Sequence, residues 1–105
     1  MNQETKNAIS KFIKERDWDR FHSPENLAKS ICIEAGELLE CFQWSNNFDL
    51  EHVKEELADV MIYSELLLTK LHLDEDEVIN AKLRINEEKY PVDKAKGNAK
   101  KYTDL

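Results

Sequence analysis

Between Val53 and Leu71 the residues Val53, Leu57, Val60, Ser64, Leu67 and Leu71 follow a 4-3-4-3-4 spacing, apolar at every place but one. That period lines one face of an α-helix and fits no strand. Beside it runs a second line of Glu56, Asp59, Tyr63 and Leu66. A helix apolar over so wide an arc is expected to be covered on more than one side. The rest of the chain favours the same structure. Only two Gly and two Pro interrupt 105 residues, and Glu, Leu and Lys are the most frequent residues. The expectation is an all-α, four-helix bundle, one domain over residues 1–105, with antiparallel neighbours joined by short loops. A domain of this size buries a low fraction of its surface, so association into a homo-oligomer is expected.

The helix limits follow from end signals. Helix one is expected over about Glu4 to Arg16, with Ile9, Phe12 and Ile13 inward, and an aromatic connector from Asp17 to His22 follows. Ser23 can cap a second helix whose first position is Pro24. Its stripe is Leu27, Ile31, Glu34 and Leu38, with Ile33, Glu37 and Cys41 alongside; it should end near Gln43 or Trp44, before a Ser45-Asn46-Asn47 turn. Asp49 can cap helix three and Asp74 helix four, whose first turn is acidic and whose inner side is Val78, Ile79 and Ile85. Pro91 ends it, leaving a basic tail over residues 91–105 that carries Lys94, Lys96, Lys100 and Lys101.

Charge and cysteine content narrow the function. Charged residues make up 35% of the chain and the net charge is −7, which argues against a nucleic-acid backbone binder. Cys32 and Cys41 lie on one predicted helix about 13 Å apart along its axis, too far to bridge. With no disulfide framework, no apolar leader and no run of membrane-spanning length, the chain is read as cytoplasmic and not membrane-bound.

Two acidic pairs carry the chemistry. Glu34-Ala-Gly-Glu37 and Glu56-Leu-Ala-Asp59 each have i, i+3 spacing, which puts both carboxylates of a pair on one helix face. A lone pair of this kind is usually a solvated face. Here both pairs interrupt apolar stripes on consecutive helices, and four carboxylates turned into a bundle resist ionisation unless a cation sits between them. Oxygen donors with few His and no paired thiols suit Mg²⁺, or Mn²⁺, and point to phosphoanhydride hydrolysis. A di-iron carboxylate bundle would need Glu-x-x-His on two helices; the nearest segment, Asp49-Leu-Glu-His52, does not supply it.

Glu34-x-x-Glu37, eighteen residues, then Glu56-x-x-Asp59 resembles the MazG-like nucleoside triphosphate pyrophosphohydrolases. Arg16-Asp17-Trp18, Phe21-His22, Asn26-Leu27, Phe42-Gln43-Trp44, Ile62-Tyr63, Lys82, Asn86, Tyr90-Pro91-Val92 and the ending Lys101-Tyr102-Thr103-Asp104-Leu105 extend the resemblance to the dCTP pyrophosphatase branch. The resemblance implies Mg²⁺-dependent cleavage between the α- and β-phosphates, with Glu34, Glu37, Glu56 and Asp59 as metal ligands and catalytic carboxylates. It implies aromatic base-pocket walls at Trp18 and Trp44, sugar- or base-side contacts at Tyr63 and Asn86, and a phosphate contact at Lys82. It also implies a dimer or a dimer of dimers with sites at the subunit interface. The stretch between Trp44 and Glu51 is shorter than in animal dCTP pyrophosphatases, so the resemblance does not extend to contacts made by that loop, part of base selectivity included; the metal motif is intact.

The residues themselves keep blander readings open. The tryptophans can plug bundle ends, Tyr63 can be core, Asn86 and Lys82 can be surface residues of a helix, and the tail can be a frayed terminus. The competing function is a non-enzymatic nucleotide-sensing or assembly module with solvated acidic pairs.

Overall fold

Every long helix starts on a side chain that accepts from its own first turn. A computed structural model describes residues 1–44 and 46–105. In it α1 spans Gln3–Glu15, α2 Pro24–Glu40, α3 Leu50–Lys70 and α4 Glu75–Lys89. Asn2 Oδ1 accepts from Thr5 N–H at 2.8 Å, Ser23 Oγ from Asn26 N–H at 3.2 Å, Asp49 Oδ1 from Glu51 N–H at 3.1 Å and Asp74 Oδ2 from Glu77 N–H at 3.0 Å. Each bond satisfies an otherwise orphaned amide. The caps at Ser23, Asp49 and Asp74 match the sequence expectation; the cap at Asn2 adds a fourth. Asn26 also donates from Nδ2 to Phe21 O at 3.0 Å, tying the connector to the start of α2.

The helix ends show more departures. Helix α2 stops at Glu40, short of the expected Gln43 or Trp44. Phe42 N–H turns back to Leu39 O and Gln43 N–H to Glu40 O, a tightening to i, i−3 bonds that uses up the last carbonyls. Phe42 and Phe48 then meet with ring centroids 4.9 Å apart across the connector. Ser45, expected in that turn, lies outside the described residues. Helix α1 closes in a Schellman motif. Trp18 N–H reaches Ile13 O, Asp17 N–H reaches Lys14 O, and Asp17 takes φ 53°. A short 3-10 turn, Asp19–Phe21, follows.

By packing, the chain divides into Met1–His72 and Leu73–Leu105. In the first unit α2 and α3 form the main helix pair. Cys41 lies near Glu56 and Asp49, while Glu34 lies near Asp59 and Tyr63, so the two helices run antiparallel. Its buried apolar residues are Ile13 and Leu27, and Lys70 Nζ bonds Asp19 Oδ1 at 2.9 Å. In the second unit a short α5, Val92–Ala95, and a 3-10 turn, Tyr102–Asp104, follow α4. Tyr102 packs edge-on to Tyr90 at 6.2 Å, with Lys89 Nζ 4.8 Å from its ring centre. The tail thus has a docking point within its own unit.

Among the described residues the chain is all-helical, with four long helices, the short α5 and no strand. The apolar seam of α3 is covered less than its period suggests. Val53, Val60, Ser64 and Leu67 are half-buried, but Leu57 and Leu71 are exposed. The buried residue of α3 is Glu65, at 7% exposure, which lies off the seam. On α4, Val78, Ile79 and Ile85 are exposed, not inward as expected. The period of a helix marks a face able to be covered; a neighbour must be present to cover it. No helix among the described residues is long and apolar enough to cross a membrane.

Candidate metal and active site

Antiparallel pairing of α2 and α3 sets Glu34 against the second acidic pair. Glu34 sits in the α2 stripe with the buried Leu27 and the half-buried Ile31 and Leu38. Glu56 and Asp59, one turn apart on α3, are half-buried. One carboxylate oxygen from each of Glu34, Glu56 and Asp59 lies within 4.8 Å of the other two. Glu37 falls outside this group of three and is exposed, but it lies near enough to raise the carboxyls of both Glu34 and Glu56.

The electrostatics reflect that crowding. Desolvation, a proton shared with Glu37, and the charges of Glu37, Asp59 and Glu56 push Glu34 up to about 7. Glu56 is raised by desolvation and by Glu37, against an opposing effect of His52. The tyrosine one turn beyond Asp59, Tyr63, is raised by burial and then by Glu34 and Asp59, which places its phenol beside the cluster. Cys41 is raised by burial and next by Glu56; its Sγ donates to Glu37 O at 3.6 Å.

These residues fit a divalent cation. The Oε2 atoms of Glu34 and Glu56 are buried and receive no hydrogen bond. Buried anionic oxygens without donors are costly, and a hard cation at their meeting point would satisfy them. Three carboxylates on two facing helices, giving one oxygen each, would leave half of an octahedral shell open for water and phosphate oxygens, as suits Mg²⁺.

The other residues singled out from the sequence take varied places. Trp18, at the end of the α1 Schellman motif, is exposed and meets Phe12 edge-on at 5.7 Å, while the Arg16 guanidinium sits 3.7 Å from the Phe12 ring centre. Trp44, in the α2–α3 connector, is 89% exposed. Lys82 and Asn86 lie one turn apart on α4 in the second unit, Lys82 exposed and Asn86 half-buried.

Two histidines near the cluster carry no separate site signal in the sequence. His22 packs edge-on to Tyr63 at 6.3 Å, and its Nδ1 is buried without a partner. Its place depends on the connector's fold, which no local pattern reveals. His52 Nε2 lies 3.2 Å from Glu56 Oε1. The i, i+4 spacing of His52 and Glu56 is visible in the sequence, but such pairs are too common to stand out.

Comparison with known proteins gives the family. The chain is 38% identical to dCTP pyrophosphatase 1 of Mus musculus over 91% of its own length, and 35% identical to dCTP pyrophosphatase 1 of Homo sapiens over the same share. It spans 62% of the length of each of these relatives. Among solved structures, a pyrophosphatase from Archaeoglobus fulgidus DSM 4304 matches with a TM-score of 0.76 and 39% identity, covering 85% of this chain and 91% of that one. The profile of the MazG-like family matches residues 29–105, a stretch that holds both acidic pairs. By that match, which covers most of its length, the chain belongs to the MazG-like family.

Proposed function

We propose that this chain hydrolyses a nucleoside triphosphate between its α- and β-phosphates, releasing the monophosphate and pyrophosphate. The proposed substrate is dCTP or a modified cytosine deoxynucleotide, and the role is removal of such nucleotides from the cytoplasmic pool. Residues 1–105 would act as one pyrophosphohydrolase domain, assembled as a dimer or a dimer of dimers. The observation that carries the reading is the meeting of Glu34, Glu56 and Asp59 oxygens within 4.8 Å across two antiparallel helices. The names of the relatives, dCTP pyrophosphatase 1 and a pyrophosphatase, support it.

In this reading Glu34, Glu56 and Asp59, with Glu37 beside them, hold Mg²⁺ or Mn²⁺. A divalent ion there supplies positive charge that polarises a phosphoryl oxygen. Glu37 is the assigned general base, because its carboxyl is exposed to solvent beside the cluster and outside the group of three that would hold the ion. Trp18 and Trp44 present exposed faces on which a base can stack, a contact worth about 1–3 kcal/mol per base. Tyr63, beside the cluster, is assigned to the sugar. Lys82 is assigned to a phosphate and Asn86, able both to donate and to accept, to the base edge.

The deciding experiment is a panel of nucleoside triphosphates assayed for pyrophosphate release with and without Mg²⁺. Glu37→Gln and Asp59→Asn are each expected to abolish turnover while the helical circular dichroism stays near that of the native chain. Full activity in either variant overturns the assignment. Stabilisation by triphosphate with no product released would favour a sensing module instead.

A further inference from the structure

Among the four acidic-pair residues, Glu56 alone receives a side-chain hydrogen bond from a basic group within the described residues. The donor is His52, one turn earlier on α3, whose Nε2 lies 3.2 Å from Glu56 Oε1. An ionised carboxylate only accepts, so the imidazole must present Nε2–H. The two oxygens of Glu56 therefore differ. Oε1 is tied to a ring that stands at 51% exposure, while Oε2 is buried with no donor and the glutamate side chain is 15% exposed. A long, flexible side chain is thus held at one oxygen from the solvent side, its other oxygen is buried without a donor, and the residue is one of the three carboxylates of the Glu34, Glu56 and Asp59 cluster.

We infer that His52 is a positioning residue for the metal site: its Nε2–H fixes the rotamer of Glu56 so that the free oxygen is presented to a divalent cation. Ligating carboxylates are commonly oriented by an outer donor, and loss of such a partner typically weakens metal binding about 10- to 100-fold. His52 lies outside both acidic pairs, and its bond goes to Glu56. Its effect runs through that residue. The inference rests on the reading of the cluster as a metal site.

The test is direct binding of Mn²⁺ to the full chain without nucleotide, followed by the electron paramagnetic resonance signal of the free ion, for the native protein, His52→Ala, His52→Gln and Glu56→Gln. The expected pattern has four parts. The native chain binds Mn²⁺, Glu56→Gln loses binding, His52→Ala binds about tenfold or more weakly, and His52→Gln, whose amide N–H can donate across one turn, recovers most of the loss. In turnover assays His52→Ala should need more Mg²⁺ yet reach a near-native kcat once Mg²⁺ is saturating. Unchanged or tighter Mn²⁺ binding by His52→Ala overturns the inference, and so does an equal loss in the Ala and Gln variants. If the native chain binds no Mn²⁺, the metal reading of the cluster fails first, and the role of His52 falls with it.

Discussion

Glu34 holds a proton that an ordinary glutamate would have lost. Its carboxyl is pushed from 4.5 to about 7 by burial and then by Glu37, Asp59 and Glu56. Between those two values the folded metal-free chain binds a proton that the unfolded chain does not. Stability from this group is therefore present at low pH and is lost as pH rises toward 7. Asp19 behaves in the opposite sense, lowered by its hydrogen bond to Lys70, so its contribution is lost only as pH falls below 3.8. The metal-free protein is expected to melt several degrees lower at about pH 7.5 than at about pH 5. Saturating Mg²⁺ should remove that slope by compensating the ionised form, and Glu34→Gln should remove it without metal. A melting temperature that rises over the same interval in the metal-free native chain would contradict the crowding of these carboxylates. The crowding is legible in the spacing of the two pairs along the chain. The distribution of the proton is not, because it depends on which oxygens meet.

At the scale of the helix, the ends and one interior position invite tests. Asp17 closes α1 at φ 53°, a left-handed conformation that costs a non-glycine residue about 1 kcal/mol or more. Asp17→Gly should stabilise the chain by about 1 kcal/mol in chemical denaturation. The ion pair it forfeits, Asp17 with Arg20 at 3.5 Å between exposed side chains, offsets little. Because the Schellman turn places Trp18, Asp17→Val should both destabilise the chain and weaken nucleotide binding. On α3, Glu65 is buried with Oε2 unpartnered and only Thr69 Oγ1, at 3.5 Å, near its other oxygen. Glu65→Leu should raise stability by about 1–3 kcal/mol while leaving Mn²⁺ binding as it was; a lower melting temperature would mean that the carboxyl has a partner in the assembled protein. The caps at Ser23, Asp49 and Asp74 can be anticipated because a cap acts on its own first turn. The burial of Glu65 cannot, since it depends on what packs against α3 away from the seam.

For the molecule as a whole, the question is what covers its apolar surface. In the first unit Ile33 and Leu39 on α2 are 61% and 72% exposed, and Leu57 and Met61, one turn apart on a single face of α3, are also exposed. Against this, the buried apolar residues are Ile13 and Leu27. Apolar surface left open on this scale is what the proposed association would cover. Sedimentation should give a mass at least twice the 12.3 kDa of one chain, and Met61→Glu should shift the population toward single chains. A native protein that sediments as a single chain at micromolar concentration would remove the proposed dimer.

The amino-acid order alone determined the helices, most of their starts, and the placing of four carboxylates in two pairs one turn wide. These are short-range matters of backbone bonding, capping and side-chain period, each complete within a few residues. Tertiary structure decided which of those carboxylates share a centre. The antiparallel register of α2 on α3 brings Glu34 to Glu56 and Asp59, leaves Glu37 at the edge, and sets Tyr63 beside them. Register decides this because a carboxylate feels burial and neighbouring charge through space, across a helix interface that no local pattern encodes.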